Sequence, residues 1–175
     1  MPTSNIQNIP KIIELVQMVS PKSVLDVGSG YGKYGHLIRE YCDDFNREMR
    51  IDAVEVFPQY LGKTMTKPYD RIFVEDFREF DTRERHYDLV LMIDVIEHFS
   101  KFDALAVLDR AFEMADFVLV STPLGFYHQG AAHGNIHETH LSGWERHDLP
   151  GDDYSTEDTV IKIIRKIDWK NHRNS

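Results

Sequence analysis

A short apolar segment that runs into three closely spaced glycines constrains the fold of this chain more than any other feature. Residues 23–27 have the composition of a buried strand, and they are followed at once by Gly28, Gly30 and Gly32. From Tyr34 onward, apolar and aromatic residues recur at helical spacing, which predicts a helix directly behind the glycines. Such a turn exposes backbone N–H groups at a helix N-terminus, and this arrangement suits a nucleotide or a similar ligand.

Two details separate this turn from the dinucleotide fingerprint G-x-G-x-x-G. Lys33 stands where that fingerprint has its third glycine. Asp26 lies inside the strand, where a carboxylate is costly to bury without a partner, so it either anchors the glycine loop or faces a cationic ligand. The string VLDVGSGYG resembles motif I of class I S-adenosylmethionine-dependent methyltransferases. The resemblance implies S-adenosylmethionine as the cofactor, bound by Asp26, Gly28, Ser29, Gly30, Tyr31 and Gly32. The alternative is an ordinary strand-to-helix turn of another α/β protein.

Strands alternate with helices from residue 23 to residue 121, which predicts an α/β fold with a doubly wound, mostly parallel sheet. Further strands are predicted at 50–56, 71–75, 87–93, 117–121 and 159–167. Helices are predicted at 9–19, behind the glycines, and after Ser100, whose side chain suits an N-cap. The resemblance implies the Rossmann-like methyltransferase fold, with a C-terminal strand hairpin that is shortened because only 159–167 resembles a strand. We expect a single domain over 1–175, with an N-terminal helix in 1–22, a cofactor-binding core in 23–121 and an acceptor-side loop and last strand in 122–175.

Acidic residues follow several of the predicted strands, where ligands bind in such sheets. Glu55 lies 23 residues after Gly32, at the end of the second strand, so its carboxylate can accept hydrogen bonds from ribose hydroxyls. The family resemblance implies that Asp76 accepts from the adenine amino group and that Phe77 packs on the ring. It further assigns to the cofactor site three residues beside strand ends, Val56, Ile93 and Asp94.

The segment that follows the fourth strand carries a candidate catalytic residue. The string DVIEH, residues 94–98, resembles the fourth motif of many small-molecule methyltransferases. His98 is thereby placed close to the transferred methyl group, where a histidine suits proton removal from a hydroxyl. The alternative is that His98 holds the loop by hydrogen bonds.

Five of the nine histidines lie in the segment 122–148, at 128, 133, 137, 140 and 147. This segment resembles a stretch in poorly characterised class I methyltransferases, which implies a wall or lid over the acceptor. In the favoured interpretation, its histidines and Trp144 bind and deprotonate an acceptor hydroxyl. A metal site and a polar closing loop are the alternatives, and no metal is predicted because Gly134-Asn135 interrupts a helix that would align the ligands. We expect His98 and one of His133, His137 or His140 to point into a shared cavity as catalytic residues.

The charge balance bears on the acceptor. Twenty Lys and Arg residues against 29 Asp and Glu residues give a net charge of −9, which argues against a nucleic-acid acceptor. The chain has neither a signal-peptide pattern nor an apolar run near the ~18 residues of a membrane span, so we expect a cytoplasmic protein without membrane contact.

The sequence therefore predicts methyl transfer from S-adenosylmethionine to an oxygen of a small molecule, such as a sugar or metabolite hydroxyl. One alternative is a non-catalytic S-adenosylmethionine-binding partner subunit, and another is a nicotinamide-nucleotide-binding protein. Because the last hairpin is short, a homodimer or a partner subunit is expected to complete the acceptor pocket if the chain alone does not.

Overall fold

A computed structural model of the chain describes residues 5–43, 46, 48–64, 66–132 and 134–174. The seven strands are β1 (Ser23–Val27), β2 (Arg50–Val54), β3 (Arg71–Phe73), β4 (Tyr87–Ile93), β5 (Ala115–Pro123), β6 (Asp152–Asp153) and β7 (Thr159–Arg165). The α-helices are α1 (Ile9–Val19), α2 (Lys33–Tyr41), α3 (Lys101–Met114) and α4 (Lys166–Arg173).

The strands form one sheet in the order β3-β2-β1-β4-β5-β7-β6. Strands β1 to β5 pair in parallel, while β7 pairs antiparallel with both β5 and β6. The chain order reverses between β1 and β4, and this switch point opens a crevice at the carboxyl ends of the strands. The predicted doubly wound, mostly parallel sheet with a shortened hairpin is confirmed, since β6 has only two residues.

The last predicted strand was too long. It ends at Arg165, and Lys166 begins α4 instead. The cause is the burial of Trp169, whose ring stacks on Phe112 with centroids 5.3 Å apart and whose Nε1 donates to Asp109 at 2.8 Å. A helical turn brings this ring under α3, which a continued strand would not do.

The core consists of two hydrophobic clusters. One contains the buried face of α3 together with Trp144 and Trp169, and the other contains the buried faces of α1 and α2. Helix α1 buries Ile12, Leu15 and Val16, which recur at helical spacing. The sheet is therefore covered by helices, as parallel strands with continuous apolar runs require.

Helix α2 also buries a charged side chain, Arg39, which is 1% exposed. Its guanidinium donates to Asp43 and Asp70, each at 2.7 Å, and to the backbone carbonyls of Met49 and Pro68 at 2.5 and 2.8 Å. This network fastens the segments before β2 and β3 to α2.

Among the residues that the structure describes, no helix is both long enough and apolar enough to cross a bilayer.

Candidate active site

A cavity of about 940 Å³ lies at the switch point, beyond the carboxyl ends of β1, β2 and β4. One end is lined by the glycine turn and by residues that follow β2 and β3. The other end is lined by residues 97–100 and by the segment 127–141. A single cavity thus joins the two regions that the sequence marks as chemically distinctive.

The glycine turn depends on backbone conformations that favour glycine. Gly28, Gly30 and Gly32 have φ values of 68°, 54° and 75°. A Cβ on Gly28 would stand 2.8 Å from a methyl carbon of Val95, so the loop packs directly against the segment after β4. Gly32 also serves as the N-cap of α2.

Glu55 holds this turn in place. Its Oε2 accepts from the Gly30 N–H and its Oε1 from the Phe57 N–H, both at 2.8 Å. Burial raises the pKa of Glu55, and these two bonds oppose that rise. Each carboxylate oxygen keeps a second lone pair for a ligand in the cavity.

Asp26 is 2% exposed and is paired with a residue that sequence reasoning missed. The Tyr69 hydroxyl donates to Asp26 at 2.6 Å. Burial raises the pKa of Asp26 to about 7, while the Tyr69 bond lowers it and the neighbouring Glu55 raises it. Tyr69 reaches Asp26 by crossing α2 at Gly35, where a Cβ would lie 2.5 Å from its ring. That glycine was the available sequence signal.

Asp76, Phe77 and Asp94 line the cavity as expected, each with additional contacts. Both carboxylate oxygens of Asp76 accept from Arg78, which lowers the pKa of Asp76. Phe77 stacks on Phe80 in the core, with centroids 5.7 Å apart. Asp94 has a φ of 54°, an uncommon conformation for a non-glycine residue and one that concentrates at functional sites.

Most of the predicted cofactor residues line the cavity, namely Asp26, Gly28, Ser29, Gly30, Glu55, Val56, Asp76, Phe77, Ile93 and Asp94. The two other predicted residues of the glycine turn, Tyr31 and Gly32, are not among the lining residues. Tyr31 packs on Tyr60, which does line it, with ring centroids 4.8 Å apart. The sequence predictions missed Tyr60, and they missed Lys33, which also lines the cavity.

At the acceptor end the structure brings two predicted histidines together. The rings of His98 and His140 are in edge contact, with centroids 4.9 Å apart. His98 and His140 direct Nδ1 to the backbone carbonyls of Thr139, at 3.3 Å, and Tyr127, at 2.7 Å, respectively. His137 lines the same cavity, whereas His133 lies outside the described residues.

Burial favours the neutral form of both imidazoles of this pair. Burial lowers the pKa of His98 to about 4, against the opposing effect of the Thr139 carbonyl. Burial also lowers the pKa of His140. A histidine with so low a pKa is well suited to accepting a hydrogen bond or a metal and poorly suited to keeping a proton.

Glu97 completes this group, although it was not among the predicted site residues. It is 2% exposed, and its Oε2 accepts from the Thr122 hydroxyl at 2.9 Å. Its Oε1 is buried and has no hydrogen-bond partner among the described residues. Burial, followed by the nearby Asp94 carboxylate, raises the pKa of Glu97 well above its usual range.

The acceptor-side segment is fastened to the core at its ends. The backbone carbonyl of Glu97 accepts from the N–H groups of Leu141 and Ser142, at 2.7 and 3.1 Å. Gly125 and Trp144 exchange backbone hydrogen bonds of 2.7 and 3.2 Å. Trp144 was expected to contact the acceptor, but its side chain is fully buried in the core and donates to Ser142. That expectation is therefore wrong.

The fold and the cavity together define a class I methyltransferase. Residues 5–170 match the model of a methyltransferase domain family, so the chain belongs to that family. This confirms the predicted class of enzyme, an S-adenosylmethionine-dependent methyltransferase. A comparison with curated proteins finds no match.

Several solved structures share the fold. The N-terminal domain of EvdMO1 with SAH bound has a TM-score of 0.66 and 12% identity, over 89% of this chain and 79% of that chain. Magnesium protoporphyrin IX methyltransferase (ChlM) from Synechocystis PCC 6803 with bound SAH has a TM-score of 0.63 and 12% identity, over 90% and 81%. The small RNA methyltransferase HEN1 has a TM-score of 0.68 and 16% identity, over 94% of this chain but 25% of that chain. At these identities the likeness concerns the fold.

Proposed function

We propose that this methyltransferase transfers the methyl group of S-adenosylmethionine to an oxygen of a small molecule. The observation that carries the proposal is the cavity itself. Its glycine-turn end offers carboxylates, and its other end offers imidazoles whose neutral form is favoured by burial. The cofactor and the acceptor can therefore meet inside one site.

The cofactor occupies the end next to the glycine turn. Glu55 accepts from the ribose hydroxyls through the lone pairs that the loop leaves available. Asp76 accepts from the adenine amino group, and Phe77 together with Val56 packs on the ring. Asp94, after β4, faces the sulfonium end. The supporting fact is that all five residues line the same cavity, beside the ends of β3, β2 and β4.

Methyl transfer needs little chemical help, because the sulfonium is already an activated donor. The C–S bond breaks as the C–O bond forms, the sulfonium becomes a neutral thioether, and the acceptor hydroxyl releases one proton. The protein's main contribution is to hold the two reactants in line. His98 and His140 lie where they can bind the hydroxyl, and the low pKa of His98 fits a group that orients the hydroxyl and passes its proton on.

A small acceptor fits the volume and charge of the site better than a polynucleotide. The cavity lies near the upper end of ordinary ligand pockets, which leaves room for the cofactor and a second small molecule. The net charge of −9 and the acidic rim oppose a phosphate backbone. Although HEN1 acts on small RNA, this chain lacks the charge balance that such a substrate favours.

The test combines calorimetry with a transfer assay. We expect S-adenosylmethionine to bind and a nicotinamide dinucleotide not to bind, and a labelled-methyl assay over sugars, phenols, carboxylic acids and short RNAs to label a small hydroxyl compound. Binding of the dinucleotide alone would contradict the cofactor assignment. Labelling of RNA alone, or of nitrogen acceptors alone, would contradict the acceptor assignment.

A further inference from the structure

We propose that Glu97, His98 and His140 form a binding site for one divalent transition-metal ion at the acceptor end of the cavity. Each residue offers one ligand atom, and these atoms lie within 4.8 Å of one another. Two imidazoles and a carboxylate suit Mn²⁺, Fe²⁺, Co²⁺ or Zn²⁺. The site differs from the sequence-based alternative, which drew its ligands from the segment 133–140 alone.

The spacing of the three residues fits an ion after a small adjustment. Ligand atoms at about 2.1 Å from a tetrahedral metal stand about 3.4 Å apart. Side-chain rotations that close the present spacing by roughly one ångström would bring all three into bonding distance. All three residues line the cavity, so a fourth position on the ion faces the acceptor.

The hydrogen bonds of the two histidines match those of metal-binding histidines. Metal-bound imidazoles usually donate their second ring nitrogen to a backbone carbonyl or a carboxylate, which fixes the ring and the tautomer. His98 points Nδ1 at the Thr139 carbonyl, and His140 points Nδ1 at the Tyr127 carbonyl. With its proton on Nδ1, each ring presents the lone pair of Nε2.

The carboxylate of Glu97 supplies the independent observation. A buried carboxylate oxygen without a donor is costly, and most buried polar groups avoid that state. Oε2 is positioned by Thr122, while Oε1 has no donor in the described part of the chain. A cation beside Oε1 would supply the missing partner.

The backbone holds the ligands together across the sequence separation of 43 residues from Glu97 to His140. The Glu97 carbonyl binds the N–H groups of Leu141 and Ser142, directly after His140. The His140 N–H donates to the Gln129 carbonyl at 3.0 Å. The ligand set is therefore positioned by main-chain bonds before any ion arrives.

With an ion bound, the two histidines would act through the metal rather than bind the hydroxyl themselves. The ion would bind the acceptor oxygen at its open position and lower the pKa of the acceptor hydroxyl, which releases its proton to solvent. This role rests on the proposed function, whereas metal binding does not. The carboxylates of Asp94 and Glu138, both close enough to influence Glu97, would offset the charge of an ion placed near a sulfonium.

The experiment measures metal binding without cofactor or acceptor. The chelator-treated protein is titrated with Mn²⁺ by electron paramagnetic resonance and with Co²⁺ by visible absorption. We expect one ion per chain, and we expect Glu97→Gln and His140→Asn each to weaken its affinity at least tenfold. S-adenosylmethionine affinity should change less than twofold in both variants, which shows that they are folded.

The structure supplies a matched control, because His86, Asp88 and Asp116 form a second, exposed cluster of ligand-type residues. His86→Ala should leave the affinity unchanged. The proposal is overturned if the protein binds no ion, or if His86→Ala lowers the affinity as much as Glu97→Gln does. Metal-free protein that transfers methyl groups at full rate would remove the catalytic role and leave the proposed methyl transfer intact.

Discussion

Arg39 on α2 and Glu97 after β4 are both buried ionisable side chains, yet their surroundings are opposite. Arg39 uses Nε, Nη1 and Nη2 for two carboxylates and two backbone carbonyls. Glu97 has one side-chain partner, and its second carboxylate oxygen faces no donor in the described chain. The Arg39 network lies in the interior beside β2, whereas Glu97 lines the cavity.

The contrast separates structural charges from functional ones. A buried ion whose bonding capacity is filled stabilises the native contacts around it and has nothing to offer a ligand. A buried ionisable group with an unpaired polar atom beside a cavity keeps that atom available for a ligand. The two groups should therefore respond in opposite ways to substitution.

The largest expected effect is a loss of stability when Arg39 is replaced, because Nε, Nη1 and Nη2 of its guanidinium all donate hydrogen bonds. Arg39→Met should lower the free energy of unfolding by about 3–5 kcal/mol, because the buried Asp43 carboxylate loses its charged partner inside the protein. Urea denaturation followed by circular dichroism measures it. Arg83→Met is the control, since Arg83 pairs with Asp81 at the surface, and should leave the unfolding midpoint unchanged. A small loss of stability in Arg39→Met would mean that a buried charged side chain with paired donors is not thereby important for stability.

The second effect is a loss of turnover when Glu97 or His98, which line the cavity, is replaced. Glu97→Gln, and likewise His98→Ala, should lower the turnover number by about 10²-fold, close to 2.7 kcal/mol, while the free energy of unfolding stays nearly unchanged. His147→Ala, an exposed histidine of the same segment, is the matched control. If Glu97→Gln lost stability but kept its turnover number, Glu97 would have a structural role like that of Arg39.

A third prediction concerns the loss of the side-chain hydrogen-bond donor to a buried carboxyl group, that of Asp26. Tyr69→Phe removes the donor to Asp26, which should cost about 2 kcal/mol of stability at pH 8 and about 1 kcal/mol at pH 5. Since the pKa of Asp26 is about 7 and its pKa in the unfolded chain is near 3.8, the folded-state carboxyl is protonated at pH 5 and ionised at pH 8. The hydroxyl bond is stronger to the ionised form, so the loss grows with pH.

Urea unfolding of both proteins at the two pH values measures the third prediction. An equal loss at both pH values would show that Asp26 does not ionise in this range. In the wild-type protein, the raised pKa of Asp26 makes its contribution to stability fall as pH rises from about 4 to 7, because the folded state alone holds the proton there.

The smallest expected effect concerns Glu55. Each of its carboxylate oxygens accepts one backbone hydrogen bond and keeps a second lone pair. Glu55→Gln places an amide nitrogen against one of two backbone donors, so we expect S-adenosylmethionine affinity to fall about tenfold, close to 1.4 kcal/mol. Calorimetry measures this change, with the exposed Glu79→Gln as control. Unchanged affinity would mean that Glu55 serves the loop alone.

The sequence predicts what local patterns determine. Apolar runs, glycines and strand-end acids establish the sheet and the cavity at its switch point, because each depends on neighbours in the chain. The Tyr69 bond to Asp26 spans 43 residues, and the Arg39 network joins three separate segments, so neither has a local signature. The burial of Trp144 and the helical turn at Trp169 likewise depend on packing partners far along the chain.

Glu97 shows the same limit at the site. The DVIEH string identifies it, but its unfilled oxygen is visible only once Thr122 and the segment around His140 are in place. The pairing of His98 with His140 was predicted only as one of three choices. Sequence spacing could not select among them because the segment between 125 and 140 has no regular periodicity.

The double hydrogen bond to the Glu97 carbonyl has a consequence for how related enzymes diversify. Between this anchor and the Gly125–Trp144 bridge, Phe126, Tyr127 and Ile136 are exposed and carry little of the packing. Replacements of Ile136, which lines the cavity, can reshape the entrance without moving His98 or His140, whereas Tyr127 packs on the His140 ring with centroids 6.0 Å apart. A lineage could thus exchange one acceptor for another by altering a few side chains at the rim, while the same reaction centre is inherited unchanged.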